Sequence, residues 1–142
     1  MIFMSRKKVA AGYILRITRE KWVEQVFERT KYYFGIRREW KPNQIILFVH
    51  KTVRGDAFIG YGVISNFQRL EELSDEEKVE CEKWNWRGAL CFVYVVRFRK
   101  PLLVKKTFLR DSKLRGKYLH GLALTREQVD SILSLAERGE RV

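Results

Sequence analysis

Apolar residues in this chain gather into short β-prone runs, and that pattern constrains the fold more than any other feature. Ile45 to Val49 and Ala89 to Val96 are such runs. Both fall far short of the roughly 20 apolar residues that a membrane-spanning helix needs. Ala89 to Phe98 is the longest β-prone stretch and reads as a central strand. Ile45 to His50 and Phe58 to Ile64, separated by the turn-like Arg54-Gly55-Asp56, read as a hairpin. Gly12 to Ile17 reads as a first strand and Leu122 to Leu124 as a last one. Leu102 to Lys106, just behind Pro101, reads as an edge strand.

Three helices complete the pattern. Thr18 serves as an N-cap for Arg19 to Arg29, whose Trp22, Val23, Val26 and Phe27 share one face. Ser74-Asp75-Glu76-Glu77 is a capping box that opens a short acidic helix toward Trp84. Thr125-Arg126-Glu127-Gln128 is a second, opening a helix that Gly139 ends and whose buried face is Val129, Ile132, Leu133 and Ala136. Thr30 to Asn43 lacks either period and reads as a long loop, and Thr107 to Gly116 as a turn or short helix. The strands are joined by short connections rather than alternating crossover helices. That predicts an α+β domain: a strongly curved mixed sheet or small β-barrel of about five or six strands, with about three peripheral helices. The 142 residues contain no repeat and no linker, and their size and 46% hydrophobic content suit a single domain spanning 1–142.

Charge is the strongest compositional signal. The net charge is +12 and the pI about 10.0. Met1 to His50 carries 11 basic against 4 acidic residues and Arg87 to Arg126 carries 11 against 1, whereas Phe67 to Trp86 carries 3 against 7. A thermophile's charged surface explains many charges but not this imbalance of sign. Two basic blocks suit a polyanion, because neutralised phosphates release counterions. Nucleic acid is therefore the expected partner, with no membrane role. The segment Met1-Ile2-Phe3-Met4-Ser5-Arg6-Lys7-Lys8 places apolar residues before basic ones, the wrong order for a secretory signal, which points to the cytoplasm. Cys81 and Cys91 form no Cys-x-x-Cys pair and read as buried free thiols; with His50 and His120 they lack the close spacing of a zinc site.

Three constellations can carry binding. In Lys31 to Lys41 the rings of Tyr32, Tyr33, Phe34 and Trp40 interleave with Lys31, Arg37, Arg38 and Lys41, so that rings can stack on bases while cations take phosphates; at least half of the rings are expected in the core. Trp84-Asn85-Trp86-Arg87 brackets an Asn that can read a base edge, with Arg87 beside it for phosphate, although Trp on a short helix usually packs inward. The third set is Lys105, Lys106, Arg110, Lys113, Arg115 and Lys117, clustered around a Gly as a phosphate-binding loop or as an ordinary solvated surface. Catalysis finds little support. Ser112 beside Asp111 has no nearby His, and the acids of Glu71 to Glu82 read as a solvated helix face. No phosphate loop or dinucleotide motif implies a cofactor or metal.

The order of strand, helix, Tyr32-Tyr33-Phe34-Gly35-Ile36, then Lys41-Pro42-Asn43-Gln44-Ile45-Ile46-Leu47-Phe48-Val49-His50 resembles the EVE-type branch of the PUA-like superfamily. Ala57-Phe58-Ile59-Gly60-Tyr61-Gly62-Val63-Ile64 is similar to that family's next strand, whose Gly-x-Gly lets backbone approach closely. Asn43-Gln44 stands where the family usually has Gly-Asp, and the Gly-x-Lys-x-x-Glu-x-Arg signature of the related ASCH branch is absent from the sequence. The resemblance implies a PUA-like barrel that binds RNA or DNA, RNA being favoured, often through a modified base in an aromatic pocket. Such a pocket would form between the Tyr33 to Trp40 loop and Trp84-Asn85-Trp86. Two alternatives stay open: a nucleic-acid-modifying enzyme or its specificity subunit, and a basic structural protein of a ribonucleoprotein complex.

Overall fold

The computed structural model describes residues 9–140. The basic and apolar residues of 1–8 lie outside the described residues, as do Arg141 and Val142. Within the described residues six strands form one curved, unclosed sheet in the order β2-β5-β4-β3-β1-β6. They are β1 (Gly12–Arg16), β2 (Lys31–Phe34), β3 (Ile45–Thr52), β4 (Gly55–Arg69), β5 (Gly88–Leu103) and β6 (Ala123–Leu124). Three α-helices of the described residues flank it: α1 (Glu20–Arg29), α2 (Asp75–Trp84) and α3 (Arg126–Glu140). The β1–β3 pair is parallel and the other pairs are antiparallel. No helix among the described residues is long and apolar enough to cross a membrane.

The continuous apolar runs of β1 and β3 follow from burial on both faces of these strands, whereas the run Ala89 to Val96 of β5 leaves Val93 and Tyr94 exposed. Tyr13, Leu15 and Ile17 join Ile46 and Phe48 in one core with Val23 and Val26 of α1. The alternate residues Ile14, Ile45, Leu47 and Val49 join a second core under Val129, Ile132 and Ala136 of α3. The long strands β4 and β5 bend at register shifts near Phe58/Gly60 and between Val63 and Asn66. Such irregularities raise the local twist and curve the sheet.

Both capping boxes form. Ser74 Oγ accepts from the Glu77 N–H at 3.2 Å, and Thr125 Oγ1 accepts from the Gln128 N–H at 3.2 Å. Five boundaries differ from the sequence expectation. Arg19, not Thr18, is the N-cap of α1, because its carbonyl accepts the first helical bonds from Trp22 and Val23. Lys31–Phe34 is a strand rather than loop: Thr30 ends α1 in the left-handed region (φ 53°) and turns the chain onto the edge of β5. Leu102 and Leu103 continue β5 instead of starting a new strand. Pro101 falls between Arg97 and Leu102, where the ladder shifts and its missing N–H costs no pairing. The hairpin turn falls at Val53 and Arg54, with Gly55 and Asp56 already in β4. Finally, α3 runs through Gly139 to Glu140.

The Asn43-Gln44 departure has a structural account. Asn43 holds φ at 72°, the conformation glycine adopts most easily and Asn tolerates best among other residues. Gln44 is 4% exposed, and its side chain ties the turn together. Its Oε1 accepts from the Lys41 N–H at 2.8 Å, while its Nε2 donates to the carbonyls of Ala10 (3.0 Å) and Glu39 (3.1 Å).

Candidate nucleic-acid interface

A cavity of about 310 Å³ opens between α1, the edge strand β2, the segment after α2 and the 3₁₀ turn Gly116–Leu119. Trp22, Tyr32, Tyr33, Trp84 and Trp86 form its aromatic wall. Arg16, Thr18, Gln25, Lys117 and His120 supply its polar groups. Among the described residues, no carboxylate or thiol lines it.

The wall is set by a helix end. Asn85 closes α2 in the left-handed region (φ 59°), its N–H returning to the carbonyls of Cys81 and Glu82. The chain therefore doubles back, and Trp86 lies over Trp84 with ring centroids 6.1 Å apart and planes at 25°. Tyr33 stacks on Trp86 at 5.3 Å and 8°. Trp22 meets Trp84 and Trp86 edge-on, at 5.1 and 5.3 Å. The Arg19 guanidinium sits 4.5 Å from the Trp84 centroid. These spacings are those of touching aromatic pairs, about 4.5–7 Å. No slot therefore exists for a base to slide between the rings, and a ligand ring must meet the wall from the cavity side.

Tyr33 is held in register by Glu77. One carboxylate oxygen, Oε1, accepts from the Ser74 N–H; the other, Oε2, accepts from Tyr33 Oη and from Lys31 Nζ, both at 2.6 Å. Burial by itself would raise the Glu77 pKa, but hydrogen bonds from Lys31, Tyr33 and Ser74 outweigh it and bring the value down to about 2. Burial and the Glu77 carboxylate raise the Tyr33 phenol above its ordinary value. Glu77 is thus not part of a solvated face, as its sequence context suggests, but a link between α2 and β2. Its folded-state pKa lies below the unfolded value of 4.5. The stability it contributes is full above that value and is lost as pH falls through about 2. Glu77→Gln is therefore expected to lower the thermal midpoint at neutral pH and to flatten its decline between pH 4.5 and 2. Parallel midpoint-against-pH curves for the two proteins would contradict this role.

His120 presents a fixed donor. Its Nδ1 accepts from the Arg16 N–H at 2.9 Å. Burial, then Arg38 and Arg16, lower its pKa, so the ring is neutral near pH 7 and carries its hydrogen on Nε2. The Arg16 guanidinium is paired with both oxygens of Asp56, at 3.0 and 3.1 Å. Arg38 Nε donates to the Gly121 carbonyl at 2.8 Å, tying the β2–β3 connection to the segment before β6.

The residues singled out by sequence fall into three groups. Tyr33, Trp84, Trp86 and Lys117 line the cavity together. Phe34 (7% exposed) and Trp40 (6%) do not: they pack against each other in the first core, Trp40 also meeting Tyr13 edge-on, because Phe34 closes the inner face at the end of β2. The remaining residues lie apart from the cavity lining. Arg37 and Arg38 are exposed on the β2–β3 connection, Asn85 is a helix terminator, and the Arg87 backbone bonds the Phe34 carbonyl. Lys105, Lys106, Arg110, Lys113 and Arg115 follow β5 on the far side of the Gly116–Leu119 turn, of which Lys105, Arg110 and Arg115 line a neighbouring groove. Sequence reasoning missed Trp22, Gln25, Arg16, Thr18 and His120. A helical stripe does not separate a ring facing the core from one facing a cavity, and the others reach the site only through tertiary pairing. His50 Nδ1 lies 2.7 Å from the Ile17 carbonyl, and among the described residues no cluster of His, Cys, Asp or Glu is arranged to hold a metal.

No family model and no curated protein matches the chain. Among solved structures, the crystal structure of ASCH from Zymomonas mobilis superposes with a TM-score of 0.62 at 12% identity, covering 86% of this chain and 93% of that one. The chain has the fold of that ASCH domain, a PUA-like fold, without the ASCH sequence signature.

Proposed function

We propose that this chain is a non-enzymatic, EVE-type nucleic-acid-binding module. It holds one unstacked base, modified or not, against the aromatic wall and takes phosphates on its basic face. RNA is the favoured strand. The observation that carries this reading is the meeting of five aromatic side chains with Arg16, Lys117 and the neutral His120 around one cavity. Flat rings suit any base, and the donors of Arg16, Lys117 and His120 suit the oxygens and ring nitrogens of a nucleotide. The PUA-like fold supports the same reading.

Two features favour binding over catalysis. The cavity lining lacks a carboxylate or thiol among the described residues. The carboxylates bonded to lining residues are engaged, Glu77 by Lys31 and Tyr33, Asp56 by Arg16 and Glu80 by Trp84, and Cys81 is buried with its thiol pKa raised, by burial first. A purely structural basic protein would need no cavity.

The test separates a stacking ring from a packing ring. Trp86→Leu keeps apolar bulk but removes the ring on which Tyr33 and Trp84 stack, and with it the flat wall that a base would meet from the cavity side. Affinity for single-stranded RNA is expected to fall by about 1–3 kcal/mol, with a smaller loss of folding stability. A large drop in thermal midpoint with unchanged affinity per folded molecule would make Trp86 core and overturn the pocket. Recovery of bound nucleic acid from the native protein, followed by nucleoside mass spectrometry, identifies the base.

A further inference from the structure

The turn Gly116–Leu119 separates two concavities, and its helical period assigns its residues between them. In a 3₁₀ helix residues three apart eclipse. Lys117 and the capping residue His120 face the aromatic cavity, whereas Gly116 and Leu119 face a second groove of about 340 Å³. Tyr118, on the third row, is 64% exposed, with Lys117 Nζ 5.3 Å from its ring centroid. The Arg16–Asp56 pair joins the two concavities, Arg16 lining the first and Asp56 the second.

The second groove is more than a charged surface. Arg54, Lys105, Arg110 and Arg115 rim it, and none of the four is in an ion pair among the described residues. Among the described residues its one acid, Asp56, is already neutralised by Arg16. Val104, Leu109, Leu114 and Leu119 give it an apolar floor. Cations around an apolar floor match a nucleotide, whose phosphate is anionic and whose base is flat and weakly hydrated.

Resting on the base-pocket reading, we propose that this groove is a second nucleotide subsite. The ligand is then a single strand, with one base on the aromatic wall, the strand passing over the Tyr118 ridge, and the adjacent nucleotide in the groove. Neighbouring bases in a duplex are stacked and paired and cannot part to either side of the ridge, so an intact duplex is a poor ligand.

Isothermal titration with 5′-mononucleotides of the common bases, the matching 5′-phosphorylated dinucleotides and duplex RNA tests this. Dinucleotides are expected to bind about tenfold or more tightly than mononucleotides. The double variant Arg110→Ser/Arg115→Ser should abolish that gain and leave mononucleotide affinity within about twofold. Tyr118→Ala should reduce the gain as well, and at 64% exposure its ring can be removed without disturbing the core. Equal affinity for mono- and dinucleotides overturns the second subsite and leaves the first intact, as does a variant that weakens both alike or a duplex bound as tightly as the dinucleotide. Failure of every nucleotide to bind overturns the base pocket itself and the second subsite with it.

Discussion

Gly60→Ala is expected to be among the most damaging single-methyl changes in this protein. A Cβ at this position would stand 2.3 Å from the Val96 carbonyl oxygen of β5 and 2.8 Å from the Phe27 ring of α1. The first contact is backbone and cannot move without parting β4 from β5 beside their register shift. The second presses on the helix that carries Trp22. Overpacking of this kind costs about 3 kcal/mol. In a chain of this size that lowers the thermal midpoint by roughly 10 °C. Differential scanning calorimetry measures it directly; a midpoint within about 2 °C of the parent would show that the β4–β5 bulge yields without cost. The Gly-x-Gly of β4 thus serves interior packing. At the second glycine, Gly62, a Cβ would meet the Phe92 ring at 2.8 Å.

Affinity for nucleic acid is expected to fall about a hundredfold when salt rises fourfold from low to physiological concentration. Lys117 on the aromatic cavity and Arg54, Lys105, Arg110 and Arg115 on the neighbouring groove are placed to neutralise about five phosphates. For a single strand that number gives a slope of about −3.5 in log affinity against log salt, hence the hundredfold change. Fluorescence anisotropy across a salt series reads the slope. A flat response would remove the polyanion argument and leave the +12 charge to another purpose.

Signals confined to a few neighbouring residues were legible in the sequence. Ser74 with Glu77 and Thr125 with Gln128 each mark a helix start through reciprocal bonds three residues apart. The α+β class followed from the apolar runs, the helix starts and the short connections between strands. What escaped is created by pairing across the chain. Lys31–Phe34 becomes a strand only because Gly88 to Cys91 offers it an edge, and nothing in its own four residues announces that. Of the five rings of the aromatic wall, Tyr33, Trp84 and Trp86 were visible as pocket residues and Tyr32 as part of the same aromatic segment. Trp22 looked like core because its helical stripe is amphipathic, and it does pack against the first core, but it is only partly buried and its ring also lines the cavity. Asn85 drew notice as a base reader, whereas its conformation explains it: a left-handed helix end favours Asn after Gly.

The sheet order also governs when this site can exist during synthesis. The first strand lies between β3 and β6, so Gly12 and Tyr13 wait for Leu124 and Ala123, made more than a hundred residues later. The cavity draws on residues from Arg16 to His120, nearly the whole described chain. Such long-range closure delays folding until the distant partners are present. A nascent chain halted before β6 therefore exposes one edge of β1, and one halted before Gly116 also lacks Lys117 and His120 and has no complete cavity. Ligand binding on the ribosome would report release of the segment around His120, and translation-arrested chains of increasing length locate the point at which it is acquired.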